Sequence, residues 1–293
     1  MFRTPIAPVI VTLALVASAA GAAPFESAGF LAFPAEVEVG ALSAVVADSR
    51  DNLYVLHRGE IPVVVFDANG KYVRGFGQGM FKVPHGLRID REGFVWTTDN
   101  GLHILRKFTP EGRLVTTLGV EGKAGSGKEG FRAPDDLVFD SQGNFYIADA
   151  GNGRIVKLNP AGEYVSEWGK KGKESGQFAT AHGLAIDAQD RIYVADRGNK
   201  RVQVFDTTGK HLADWSGFGN PFGLVARKQA LIASEGDIHK LIELDLKTGQ
   251  VLSQWGDPQT LLLPHFMTFD SQGTLYVTEV NGKRVQKFVR GAK

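Results

Sequence analysis

The 293-residue chain has no cysteine. Disulfides therefore add nothing to its stability, and any metal ion it holds must be bound by histidine and carboxylates. It also lacks a dominant charge, with 33 Lys and Arg against 32 Asp and Glu. No field of one sign recommends nucleic acid or an anionic membrane as a partner. Missing too is any sustained apolar period of 3.6 residues, so helices are not expected to build the fold. Past the N-terminus, no apolar run approaches the length needed to cross a bilayer.

The N-terminus itself, MFRTPIAPVIVTLALVASAAGAAP, places Arg3 ahead of an apolar run from Val9 to Ala17. Ala17-Ser18-Ala19 or Ala20-Gly21-Ala22 then offers a small-x-small cleavage site. The run is short for a membrane span. Residues 1–22 thus read as a secretory signal, with an uncleaved anchor as the alternative, and the mature chain is expected to be periplasmic or secreted.

What the chain has is repetition. Five segments align on an aspartate: Asp48 in VVADSRDNLYVLHRG, Asp90 in RIDREGFVWTTDNG, Asp140 in VFDSQGNFYIADAG, Asp187 in AIDAQDRIYVADRG and Asp270 in TFDSQGTLYVTEVNG. A degenerate copy, LVARKQALIASEG, fits between the last two. Six units of roughly 45 residues account for the mature chain, which identifies a repeat architecture. Within each unit short runs alternate apolar and polar and are separated by turns such as DSQG, NPAG, DTTG and DANG, the pattern of strands joined by hairpins. Four antiparallel strands per unit make a propeller blade. The expected fold is all-β, a six-bladed β-propeller over residues 23–293. The last unit ends after its third strand, RVQKFV, so the segment Ala28 to Val39 is expected to supply the missing outer strand and close the ring.

Five residues before each aspartate the chain reads Ser43, His85, Asp135, His182 and His265, with Phe222 in the degenerate unit. Histidine falls in units two, four and six. The first strand of each blade lines the central channel, so these positions form a ring around the axis, and alternate histidines make it nearly three-fold. Three imidazoles converging on one point leave a fourth position open, as in catalytic zinc sites. The alternative is that they only hydrogen-bond water or backbone in the channel.

Ten residues after the aspartate stand Arg58 in LHRGE and Arg197 in ADRGN, on the face where the first strands begin. Guanidinium groups there can grip a carboxylate bidentately, or brace turns by pairing with a neighbouring acid. One position earlier come Asp99, Asp149, Asp196, Glu235 and Glu279, whose near-uniformity suggests a cap on the turn; His57 holds that place in the first unit. The loops GVEGKAGSGKEG and GKKGKESGQ bring Lys123, Lys128, Lys170, Lys171 and Lys173 to the same face, either as solvated surface or as a weak pull on anions.

The segments YVADRGNKRVQVFDTTGK and FYIADAGNGRIVKLNPAG resemble the NHL repeat. More narrowly, HRGE, PHGLRID with REGFVWTTDNGLHILRKF, AHGLAID, ADRGNKRVQVF and LPH resemble the lyase domain of peptidylglycine alpha-amidating enzymes, peptidylamidoglycolate lyase. The resemblance implies a six-bladed propeller in which His85, His182 and His265 bind zinc and Arg58 and Arg197 bind the substrate carboxylate. It also implies a reaction that splits an alpha-hydroxyglycine-extended peptide into an amide and glyoxylate. The family's calcium, held by two backbone carbonyls and an aspartate directly after the third histidine, would map to Val45 and Leu87, but the third position here is Phe266. The family's tyrosine base is missing, since Asp149 is followed by Ala150-Gly151-Asn152-Gly153.

The resulting expectation is a zinc-dependent lyase acting on a small carboxylate-bearing hemiaminal or peptide, with Asp135, His57 or a zinc-bound hydroxide as the candidate base. A metal-dependent hydrolase of an ester or lactone is the first alternative. A noncatalytic scaffold binding a protein partner is the second.

Overall fold

The computed structural model describes residues 24–291, so the expected signal segment lies outside the described residues. They form six four-stranded antiparallel sheets arranged as a propeller. The first strands, which face the channel, are Leu42–Ala47, Pro84–Ile89, Pro134–Phe139, Ala181–Ile186, Pro221–Arg227 and Pro264–Phe269, here numbered as blades 1 to 6. The degenerate repeat is a complete blade. The only helical elements described are two single 3-10 turns, Arg197–Asn199 and Gly236–Ile238.

The repeated aspartate builds the hairpin between a blade's first and second strands. In blade 3 the Oδ1 of Asp140 accepts from the amides of Gln142 and Asn144, and its Oδ2 accepts from the hydroxyl of Tyr146. Blade 4 repeats the set with Asp187, Gln189, Arg191 and Tyr193. One carboxylate thereby fixes a tight turn and ties it to the second strand, and the side-chain donors and acceptors of the turn leave few polar groups unpaired. Apolar residues alternate inward from these strands and pack between adjacent sheets, for example Tyr146, Ala148, Leu184 and Val194 between blades 3 and 4.

Blade 6 is completed by the N-terminal segment, which pairs antiparallel with the last strand, Arg284–Arg290. That outer strand runs Phe25–Phe30, earlier than the expected span of 28 to 39. The reason is its anchor. Phe25 is buried and stacks on Trp255 of blade 5 at 5.3 Å, while Gly29, at φ +86°, sits in the register break between Ser27 and Phe30 and ends regular pairing. Residues after Phe30 turn over the blade 6 and blade 1 junction instead, burying Leu31 and Val37. A second latch joins these blades at the opposite face. Asp51 accepts from both the amide and the hydroxyl of Ser271, at 2.8 and 2.6 Å.

Candidate metal centre and channel mouth

Each first strand loses regular pairing immediately after its first residue; in blade 2 the break lies between Pro84 and Leu87, and in blade 4 between Ala181 and Leu184. Such a bulge re-aims the side chains within it. His85 and His182 lie in these breaks, and His265 lies in the corresponding break of blade 6 between Pro264 and Met267.

All three imidazoles are buried and meet on the axis, with ring centres 4.9 to 5.0 Å apart. Each offers a nitrogen, and these nitrogens lie within 4.8 Å of one another. The Nδ1 of His85 lies 2.8 Å from the carbonyl of Asp135, that of His182 2.9 Å from the carbonyl of Phe222, and that of His265 2.7 Å from the carbonyl of Ser43. A carbonyl only accepts, so Nδ1 carries the proton in every case and Nε2 is left with its lone pair free. The ring of six register positions thus divides evenly: blades 2, 4 and 6 give imidazoles, and blades 3, 5 and 1 give the carbonyls that orient them.

The glycine that follows two of the histidines serves the same contact. A Cβ at Gly86 would stand 2.7 Å from the Asp135 carbonyl oxygen, and one at Gly183 would stand 2.3 Å from that of Phe222. These are the carbonyls that receive the preceding histidine's proton, so a side chain at either glycine would push the acceptor away.

Burial pushes His85 down to about 4, opposed by its bond to Asp135 and reinforced by the charges of Arg58 and Arg197. It pushes His182 and His265 well below the ordinary imidazole range. Three neutral imidazoles with fixed tautomers and free Nε2 atoms suit a divalent transition ion and leave a coordination position open. The triad can hold a metal.

Above the triad the arginines differ in setting. Arg197 starts the 3-10 turn of blade 4, and its guanidinium carbon lies 3.9 Å over the ring of Phe222. Phe222 in turn abuts His182 and His265 at 5.3 and 5.8 Å between ring centres. Arg58 is exposed in the matching turn of blade 1. Among the described residues neither guanidinium forms an ion pair, unlike Arg154, Arg201 and Arg284, each held by the acid of its own blade. Lys171 is pinned to the carbonyls of Ala150 and Ala179, whereas Lys128 lies over Tyr164.

Asp135 stands in the same ring, almost fully buried, with one oxygen accepting from Asn100 at 2.7 Å and lying 3.9 Å from Nδ1 of His85. Burial raises its pKa to about 8, against the opposing bond from Asn100. His57 is differently employed. Its Nδ1 accepts from the amides of Gly40 and Gly59 at 3.1 and 3.0 Å, which leaves that nitrogen no lone pair for a substrate proton. His57 thus occupies the turn-cap place that Asp99, Asp149, Asp196 and Glu279 fill in other blades, where each accepts from amides of the incoming loop.

Sequence reasoning did not single out Asn100, Arg88 or Asp136. The last two carried a legible signal, being charged residues inside the first strands Pro84–Ile89 and Pro134–Phe139. As for calcium, Phe266 replaces a carboxylate with an apolar ring, and Val45 and Leu87 retain only carbonyls, so these residues do not make a calcium site.

Comparison with known proteins agrees on the architecture. The NHL repeat model matches residues 131–158 and 178–205. A Drosophila melanogaster peptidyl-alpha-hydroxyglycine alpha-amidating lyase 1 is 31% identical over 127 residues, covering 33% of this chain and 24% of that protein. The chain spans under a third of the length of the curated relatives it matches. Among solved structures, a streptogramin B lyase superposes with a TM-score of 0.69 at 13% identity, covering 91% of this chain and 98% of the other. A gluconolactonase from Xanthomonas campestris gives 0.68 at 15% identity, covering 94% and 99%. At such identities the structural likeness shows the fold alone.

Proposed function

We propose that the protein is a zinc-dependent lyase that cleaves a carboxylated hemiaminal of the alpha-hydroxyglycine type into an amide and glyoxylate. The observation that carries this reading is the placement of two guanidinium groups without acidic partners around the mouth over three neutral, tautomer-fixed imidazoles. Distant relatives named as amidating lyases support it. A zinc ion held by His85, His182 and His265 would act as a Lewis acid on the substrate hydroxyl oxygen.

The rest of the chemistry falls to the chain. Arg58 and Arg197 bind the two carboxylate oxygens and fix the substrate's orientation, and Phe222 holds Arg197 flat beneath the substrate. The hydroxyl gives up its proton as a carbonyl forms, the carbon–nitrogen bond breaks, and the amide nitrogen leaves with the electron pair and takes a proton. Asp135, the buried acid of the ring, is the group that relays this proton, its carboxyl oriented by Asn100. His57 is not assigned a catalytic role, because its accepting nitrogen is occupied by backbone amides. The signal-like N-terminal pattern of Arg3, an apolar run and a small-x-small site supports a periplasmic or secreted setting.

The test is release of glyoxylate and benzamide from alpha-hydroxyhippurate by the zinc-loaded protein, absent in a His85→Ala control. Zinc-loaded protein that releases neither product but opens a lactone or ester would instead assign a hydrolase. Protein that binds no metal would leave a scaffold.

A further inference from the structure

Just past the triad, on the axis, lies the side chain of Phe266. Its ring centre is 5.5, 5.7 and 4.6 Å from those of His85, His182 and His265, so it floors the metal centre. Next along the channel is the guanidinium of Arg88, its carbon 5.8 Å from the Phe266 ring centre. Arg88 meets Asp136 bidentately, Nε to Oδ1 at 3.1 Å and Nη2 to Oδ2 at 2.6 Å. The same nitrogens donate to the carbonyls of Leu137 and Leu184 at 3.0 and 2.9 Å. Asp136 has no exposed surface, and its oxygens also accept from the amides of Leu137 and Leu184.

Leu137 and Leu184 occupy the register position of Val45 and Leu87, two residues past the triad position. Here the channel thus presents backbone carbonyls and one buried carboxylate, an assembly of negative oxygens that requires a positive charge. Oxygen ligands of this kind suit a calcium ion. We infer that Arg88 is that charge: a covalently attached cation which ties blades 2, 3 and 4 together and excludes a second metal ion from the axis. A divalent ion bound to these oxygens would sit within a few ångströms of the guanidinium and be repelled by it. Phe266, between Arg88 and the triad, presents an apolar ring and no oxygen ligand. The channel accordingly takes no metal ion beyond the one proposed at the triad, on which this statement rests, and needs no calcium.

The experiment uses the full-length protein with its triad metal loaded. Added calcium chloride should leave the melting temperature unchanged within about 1 °C, and no calcium should remain after desalting from calcium-containing buffer. Arg88→Met strands the Asp136 carboxylate and should lower the melting temperature by about 10 °C. The double variant Arg88→Met with Asp136→Leu should recover most of that loss. If Arg88→Met does not fold, the double variant decides, since recovery of a folded protein supports the charge pairing and failure removes it. Stoichiometric calcium retained by the wild type, or an Arg88→Met variant as stable as the wild type, overturns the inference.

Discussion

The Nδ1–H of His265 donates to the carbonyl of Ser43 at 2.7 Å, joining the first strands of the last and first blades across 222 residues. The bond that closes the ring therefore also sets a candidate metal ligand. Each single His→Ala change at positions 85, 182 and 265 should lower metal affinity by at least about 100-fold, given that loss of a mere supporting contact costs 10- to 100-fold. Metal analysis after dialysis reads this directly. Retention of one equivalent by all three variants would return the triad to the status of channel-lining histidines.

The two arginines should act on the carboxylate alone. Arg58→Ala and Arg197→Ala are each expected to reduce kcat/KM by about 10- to 100-fold, the worth of hydrogen bonds to a charged group. The methyl ester of the substrate should be processed equally by wild type and variants. Phe222→Leu should give a milder form of the Arg197 defect, expressed mainly in KM, because it removes the surface on which the guanidinium lies. Steady-state kinetics on acid and ester forms separates these cases.

Removal of residues 24 to 33 deletes the outer strand of blade 6 together with Phe25 and its stacking on Trp255. It leaves the edge of Arg284–Arg290 bare and uncovers Leu31's neighbours in the core. A fall in melting temperature of more than about 10 °C is expected, from loss of two buried apolar anchors and the pairing that holds them. An unchanged melting curve would mean that the ring closes without the outer strand, through contacts such as Asp51–Ser271, Thr278–Ser43 and His265–Ser43.

Among the described residues Glu235 is the turn-cap acid whose carboxylate makes no well-aligned hydrogen bond. It has no exposed surface, and burial, with Asp237 nearby, outweighs the Gly219 amide beside it and raises the pKa from 4.5 to about 7. Below the unfolded value both states are protonated and no stability is lost. As pH climbs from 4.5 towards 7 only the unfolded state ionises, so stability falls, and above 7 the loss is complete. Glu235→Gln removes the effect. Its melting temperature should gain on the wild type by about 3 °C or more between pH 5 and 7 and stay parallel above that. Parallel curves throughout would show that Glu235 finds a partner in solution.

Much of this was legible without coordinates, for a physical reason that can be named residue by residue. Asp140 and Asp187 fix their hairpins through amides two and four residues on and a tyrosine six residues on, all local contacts, so the repeat shows directly in the sequence. Phe25 shows the limit of such reading. Its strand begins ahead of the span expected from alternation because a tryptophan from another blade, Trp255, selects the register. His57 and Glu235 share the position of a capping acid, yet only packing decides that one accepts two amides and the other makes no well-aligned bond.

By itself the sequence determined six blades, alternate histidines at one register, and arginines on the same face, since each follows from period and spacing. Only the tertiary structure decided which nitrogen of each histidine is free, because that depends on a carbonyl brought in from the next blade. It likewise decided that Arg88 and Asp136, 48 residues apart, neutralise one another on the axis. Channel contacts run between blades rather than along the chain, and no local pattern encodes the partner a neighbouring blade will present.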